Sequence, residues 1–253
     1  MPSYTTWDGL EIAYQTWGEP NGAPTVVLHH GFVVDANVNW VATGVVDALV
    51  AAGRHVAAPD ARGHGASEKP HDPAHYGESR MARDLGVLLD TLGLSQIDLV
   101  GYSMGGVVSL LFASADERVR RLAVGGIGSG VVECGGVDRR SIAKGAVDDA
   151  FVADDAATIA DPGAKAFRTL ADALGADLVA LGAQAAAIHR DGVALDRIAA
   201  STLVFAGDAD PLATRPEVLS DAIPACALRV FTGDHLSVFG DERLVPALVD
   251  FLA

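Results

Sequence analysis

Ile97-Asp98-Leu99-Val100-Gly101-Tyr102-Ser103-Met104-Gly105-Gly106, followed by Val107–Ala115, is the stretch that decides the fold. Ile97–Tyr102 is short and mainly apolar, as in a strand buried on both faces, and Val107–Ala115 has helical character. Between them stands Gly-x-Ser-x-Gly. A chain that turns this sharply from strand to helix has no room for side chains two positions before or after the serine, so glycine is needed at both places. Such a turn holds the serine in strained backbone at a helix N-terminus, with its hydroxyl exposed and the helix dipole nearby. The five-residue pattern is weak alone. With a strand before it and a helix after it, it reads as a nucleophile elbow.

Similar runs lie on either side. Thr25–His30, His55–Ala58, Leu122–Val124, Thr202–Ala206 and Leu228–Phe231 are short and β-rich without alternation. Stretches with helical spacing separate them: Val41–Val50, the stripe Met81, Leu85, Leu88, Leu89 and Leu92, and Leu244–Leu252. Ser3–Thr6 and Leu10–Trp17 flank Trp7-Asp8-Gly9 and read as a hairpin. Strands alternating with helices predict an α/β fold, a mostly parallel, doubly wound sheet. In such sheets reactive groups sit in loops beyond the carboxyl ends of the strands.

The alternation stops between about residues 128 and 198. No strand is legible there, residues 151–200 hold 17 alanines, and Ala164–His189 is rich in Ala and Leu. This segment reads as a helical lid inserted over the strand ends, with 1–127 and 199–253 forming the core of one domain.

Composition narrows the class. The 253 residues carry 18 Lys+Arg against 33 Asp+Glu, a formal net charge of −15, and 50% are hydrophobic. That apolar fraction excludes a disordered chain. The acidic balance argues against nucleic acid or an anionic membrane as partner and leaves a small-molecule substrate. The excess is nearly uniform: 8 basic against 14 acidic residues in 1–126, 7 against 11 in 127–200, and 3 against 8 in 201–253. It therefore marks a solubilising surface rather than a site. Cys134 and Cys226 make no disulfide framework or zinc cluster. No secretory signal or membrane-length apolar run is legible, which predicts a cytoplasmic protein.

A serine hydroxyl needs a base. Of the eight histidines, His29 and His30 end a strand and shape the following loop. His55 starts a strand, His71 and His75 flank a helix start, His64 lies in a Gly-rich loop and His189 in the Ala-rich segment. His235 follows the last strand-like run through Gly233-Asp234, where a loop can swing an imidazole over Ser103. The base in turn needs an orienting acid. Asp208 and Asp210 both qualify by composition in Gly207-Asp208-Ala209-Asp210-Pro211. The Gly-x-x-Asp turn favours Asp210 and leaves Asp208 as a turn-former. His30-Gly31-Phe32 supplies a candidate oxyanion donor, the Phe32 amide, beside the Met104 amide after the serine.

These stretches, with Asp60-Ala61-Arg62-Gly63-His64-Gly65-Ala66-Ser67, resemble the α/β-hydrolase-fold serine hydrolases over almost the whole chain outside residues 128–198. The order Ser103, Asp210, His235 matches the family's chain order. The resemblance implies that Asp60–Ser67 is a structural loop, which leaves Asp60 and His64 out of the catalytic set. It also implies that Ser103 stands where the family's dehalogenases and epoxide hydrolases carry aspartate, which argues against both activities.

The activity this implies is cleavage of carboxylic esters or lactones through an acyl-enzyme, with no metal or organic cofactor required. Alternatives stay open. The pair Asn39-Trp40, where the family commonly has Pro or Gly-Pro nearby, resembles the carbon–carbon bond hydrolases of ring-cleavage products. The elbow also resembles cofactor-free perhydrolases, and a low-turnover binding module could use the same scaffold. Val131, Phe151, Val152, Ile159, Phe167, Leu170, Leu174, Leu178 and Leu181 line a cavity or pack the lid. Residues 148–161 hold five Asp and no Lys or Arg, which predicts a neutral substrate.

Overall fold

The central strands lack a polar face because helices cover the sheet on both sides. The computed structural model describes residues 1–143 and 145–253. The strands are β1 (Ser3–Thr5), β2 (Glu11–Trp17), β3 (Thr25–His29), β4 (Val56–Pro59), β5 (Ile97–Tyr102), β6 (Val119–Gly125), β7 (Ser201–Gly207) and β8 (Cys226–Phe231). They form one sheet in the order β1-β2-β4-β3-β5-β6-β7-β8. The β1/β2 and β2/β4 pairs are antiparallel and the other five are parallel. Nine α-helices are described: α1 (Val45–Ala51), α2 (Glu78–Thr91), α3 (Met104–Ala113), α4 (Ser129–Cys134), α5 (Ala146–Val152), α6 (Pro162–Leu174), α7 (Leu178–Ala186), α8 (Pro216–Asp221) and α9 (Leu244–Leu252).

Alternate strand residues serve opposite cores. Val26, Leu28, Val100, Ala123, Leu203 and Phe205 pack with Val45, Val46 and Leu49 of α1 and with Leu244, Leu248 and Leu252 of α9. Val27, Leu99, Leu122, Val124 and Val204 pack with Met81, Leu85, Leu88 and Leu89 of α2 and with Val107, Val108 and Leu110 of α3. Each large side chain buried this way is worth about 1.5–3 kcal/mol relative to exposure, so both faces must stay apolar. This is why a period of two is invisible in the sequence.

Local differences from the sequence reading have local causes. The stretch Val41–Val50 is not one helix. A wide helical turn over Asn37–Val41 precedes α1, and Gly44 at φ = 78° separates them. Helix α3 begins at Met104, directly at the turn, rather than at Val107. The run Ala164–His189 splits into α6 and α7, because Gly175 takes the left-handed conformation at φ = 62° and ends the first.

Helices α4–α7 lie between β6 and β7, and no strand is described there. Helices α5–α7 share a smaller core, including Val147, Phe151, Ala171 and Leu181, which Val33 and Leu212 join from outside the segment, whereas Val131 of α4 and Ala180 and Ala183 of α7 pack in the main core. Arg168 ties α6 to α5, donating to the Ala150 and Ala153 carbonyls at 2.7 and 2.6 Å. Val152 and Leu174, at 79% and 41% exposure, lie outside this core and outside the wall of the cavity at Ser103. The acidic run also has local work. Asp161 accepts the Ala164 amide at the start of α6, Asp155 caps the turn Ala156–Thr158, and Asp148 and Asp149 lie in the first turn of α5. Carboxylates are favourable at all these helix starts.

Candidate active site

Ser103 sits between β5 and α3 at φ = 56° and ψ = −116°, a costly conformation for a side-chain-bearing residue. Its surroundings hold it there. Its N–H donates to the Gly125 carbonyl at 2.7 Å. A Cβ on Gly101 would overlap the Gly105 carbonyl and the Ser109 hydroxyl, and one on Gly105 would overlap the His29 and His30 carbonyls. Both glycines of the motif are therefore required by close backbone approach.

The structure brings Ser103, His235 and Asp210 together. His235 Nε2 lies 2.9 Å from Ser103 Oγ, and its Nδ1 lies 2.8 Å from Asp210 Oδ2. An ionised carboxylate only accepts, so Nδ1 carries the proton and Nε2 is left to accept from the serine hydroxyl. The Asp210 carboxylate is fully buried, and its other oxygen accepts the Leu212 amide at 2.8 Å. Asp208 takes a different part: its Oδ1 accepts the Gly233 amide at 3.0 Å and so ties the β7 and β8 loops together.

Beside Ser103 runs the turn after β3. The Gly31 N–H donates to Asn39 Oδ1 at 2.8 Å, and a Cβ on Gly31 would lie 3.5 Å from the Ser103 Cβ. His30 Nδ1 is 2.7 Å from the Gly31 carbonyl, and His30 Nε2 accepts the Ala61 amide at 2.8 Å. His30 is thus a neutral imidazole protonated at Nδ1, both nitrogens in use. Among the described residues, the backbone N–H groups of Phe32 and Met104 are donated to no other protein group.

His29, His30 and His64 are buried together behind this turn. Burial lowers the pKa of His29 and of His64 to about 3 and lowers that of His30 as well. The loop after β4 is fastened by polar contacts. Asp60 accepts the Ala36 and Ala66 amides at 3.0 and 2.8 Å, and the buried Arg62 bridges Asp8 and Asp84. His71, at the surface, pairs with Asp177, and His55 Nδ1 lies 3.0 Å from Thr25 Oγ1. His75 contributes its backbone, its carbonyl accepting from Arg62 at 2.5 Å.

A narrow cavity of about 40 Å³ opens onto Ser103, Phe32 and Met104. Val137, Val147, Phe167, Ile188 and Leu212 supply apolar walls. Of the nine apolar residues picked from 128–198, only Phe167 reaches this wall. Glu78, Arg139 and Gln184 reach it too, and no motif or spacing singles them out. Glu78 opens α2, where a polar residue reads as an ordinary helix start. Among the described residues no cluster of three or more His, Cys, Asp or Glu is arranged to hold a metal ion. Among them, no helix is long and apolar enough to cross a membrane.

An eight-stranded, mostly parallel sheet with a strained serine at a strand–helix turn is the architecture of the α/β-hydrolase fold, and residues 24–133 match the alpha/beta hydrolase fold. A hydrolase from Pseudomonas aeruginosa has the same fold, with a TM-score of 0.79 at 26% identity over 100% of this chain and 98% of that one. Epoxide hydrolase A of Mycobacterium tuberculosis is 40% identical over 121 residues, 46% of this chain and 36% of that protein. The 2-hydroxy-6-oxo-2,4-heptadienoate hydrolase of Pseudomonas putida is 41% identical over 107 residues, 42% of this chain and 37% of that protein. The match thus spans little more than a third of the length of these two relatives.

Proposed function

We propose that this chain hydrolyses carboxylic esters or lactones of small to medium size through an acyl-enzyme. The observation that carries the reading is the continuous chain from Ser103 Oγ to His235 Nε2 at 2.9 Å and from His235 Nδ1 to Asp210 Oδ2 at 2.8 Å. In the first half-reaction, His235 takes the Ser103 proton as Oγ attacks the carbonyl. Asp210 holds the imidazole in its tautomer and stabilises the imidazolium. The Phe32 and Met104 amides hold the oxyanion, each worth roughly 3 kcal/mol in the transition state. His235 then protonates the leaving alcohol, and the same imidazole activates water to release the acid. We assign α4–α7 the role of a lid, since Val137, Phe167 and Ile188 wall the cavity above Ser103.

Opening an epoxide through an alkyl-enzyme ester requires a carboxylate nucleophile, and Ser103 offers a hydroxyl. A second reading, cleavage of a carbon–carbon bond next to a ketone, draws on Asn39, which holds the Gly31 amide, and on the name of the P. putida relative. It uses the same three residues. A perhydrolase activity would use the same acyl-enzyme with peroxide in place of water.

A fluorophosphonate probe tests the reading. It should label the native protein at Ser103, and Ser103→Ala should abolish labelling and lower ester turnover by about a thousandfold or more. A folded wild-type protein that stays unlabelled would favour a binding module on this scaffold. Comparing p-nitrophenyl esters with a ring-cleavage diketone separates the two hydrolytic readings.

A further inference from the structure

Fifteen of the 18 cationic side chains in this acidic protein are arginines. Nine of them, Arg54, Arg62, Arg80, Arg118, Arg120, Arg140, Arg168, Arg215 and Arg243, pair with carboxylates. Arg121 donates to the Ala253 carbonyl, Arg83 stacks on Trp7, and Arg190, Arg197 and Arg229 are exposed. Arg139 fits none of these groups. It is half-buried, and among the described residues it has no carboxylate or carbonyl partner. In a chain with 33 carboxylates, leaving such a guanidinium unpaired carries a desolvation cost that an incoming anion would offset.

Its position says where that anion would come from. Arg139 lines the Ser103 cavity and also a wider groove of about 660 Å³, and Val137, Val147 and Ile188 are shared by both. A substrate bound at Ser103 and extending past these residues would run alongside the guanidinium. Arg140, His189 and Arg190 line the groove beyond, with Asp148 as its acid. Arg140 is occupied by Asp138 and Glu133, whereas Arg190 has no ion pair among the described residues. On the cavity side stands Glu78, whose carboxyl accepts the His189 amide at 2.7 Å.

We propose that Arg139 anchors a carboxylate on the acyl portion of the substrate, so that monoesters of dicarboxylic acids are the class this site takes. This rests on the ester-hydrolase reading above. Burial raises the pKa of Glu78, which favours its neutral form and weakens its competition for the guanidinium. Burial also lowers the pKa of Arg139, and the neighbouring Arg190 adds to this while the charges of Asp148 and Glu78 oppose it. The acidic run 148–161 predicts a neutral substrate, but its Asp155 and Asp161 are engaged at helix starts and Asp148 is the residue of the run that lines the groove.

The test compares p-nitrophenyl monoesters of adipic and pimelic acid with p-nitrophenyl hexanoate and heptanoate, matched in chain length. Wild-type protein should favour the acid-bearing ester in kcat/KM by about tenfold or more, a preference that fades with salt. Arg139→Gln should lose the ratio, and Arg139→Lys should keep part of it because it keeps the charge. A second arm measures adipate binding to Ser103→Ala protein by calorimetry, with and without Arg139→Gln. Adipate that binds only through Arg139, in a protein without Ser103-dependent ester turnover, would sink the hydrolase reading and keep the anchor. Ser103-dependent turnover of neutral esters, with a ratio of one or below and no adipate binding, would overturn the anchor alone.

Discussion

Tyr102 Oη donates to the His235 carbonyl at 2.6 Å, so the residue before the candidate nucleophile holds the backbone of the candidate base. Its ring also packs on the imidazole, with centroids 5.2 Å apart. The relation couples the β5 turn to the loop beyond β8. Tyr102→Phe keeps the packing and removes the hydrogen bond. Its loss should cost about 1 kcal/mol of stability and lower kcat several-fold while KM changes little. Stopped-flow acylation with a chromogenic ester reads this directly. An unchanged acylation rate would show that packing alone fixes His235.

Asn39 plays the corresponding part for the turn after β3, since its Oδ1 accepts the Gly31 N–H. Asn39→Ala leaves that buried amide without its partner and frees the Phe32 peptide to shift relative to Ser103. Misplacing this candidate oxyanion donor should cost about a hundredfold in kcat. Asn39→Asp retains an acceptor at the same position and should recover much of the rate. Recovery separates positioning of the turn from a loss of packing near Trp40.

What was legible in the sequence was what is local. The Gly-x-Ser-x-Gly turn announces itself because sterics act within five residues, and Asp210 and His235 stand out because each follows a β-rich run by a short loop. Asp208 and Asp210 could be ranked only by turn geometry, yet the structure turns one to Gly233 and the other to His235. Glu78 and Arg139 were invisible for the opposite reason. They are 61 residues apart in the chain, and only the path of α4–α7 brings them to one cavity. The break at Gly175 and the wide turn at Asn37–Val41 were missed because Ala- and Val-rich spacing continues through both.

The buried histidines predict acid sensitivity well above the carboxylate range. In the unfolded chain each would protonate near pH 6.5, whereas His29 and His64 stay neutral in the fold down to about 3. The unfolded state therefore binds protons that the native state refuses, so stability falls as pH drops from 6.5. At pH 5 the loss is up to about 2 kcal/mol for each of these two residues, at 1.36 kcal/mol per pH unit below 6.5. His30 adds to it in the same direction. Urea unfolding at pH 7.5 and pH 5 measures the drop, which His64→Gln should reduce. A midpoint independent of pH in this window would mean that the histidines are hydrated in the native protein.

Glu78 pulls the other way and can be isolated from them. Burial raises its carboxyl above the ordinary range, so the fold favours the protonated form. The stabilisation from that proton is complete below the unfolded pKa and disappears as pH rises through the folded one. Glu78→Gln makes the neutral form permanent and keeps an amide oxygen for the His189 N–H. The variant should match wild type at pH 4 and unfold at higher urea than wild type at pH 8. Glu78→Ala is a different lesion, because it strands the His189 amide between α2 and the end of α7 and should cost about 1–3 kcal/mol at every pH. If Glu78→Gln is less stable than wild type at pH 8, the ionised carboxylate is the native partner of Arg139. The cation would then belong to the protein's own internal pair.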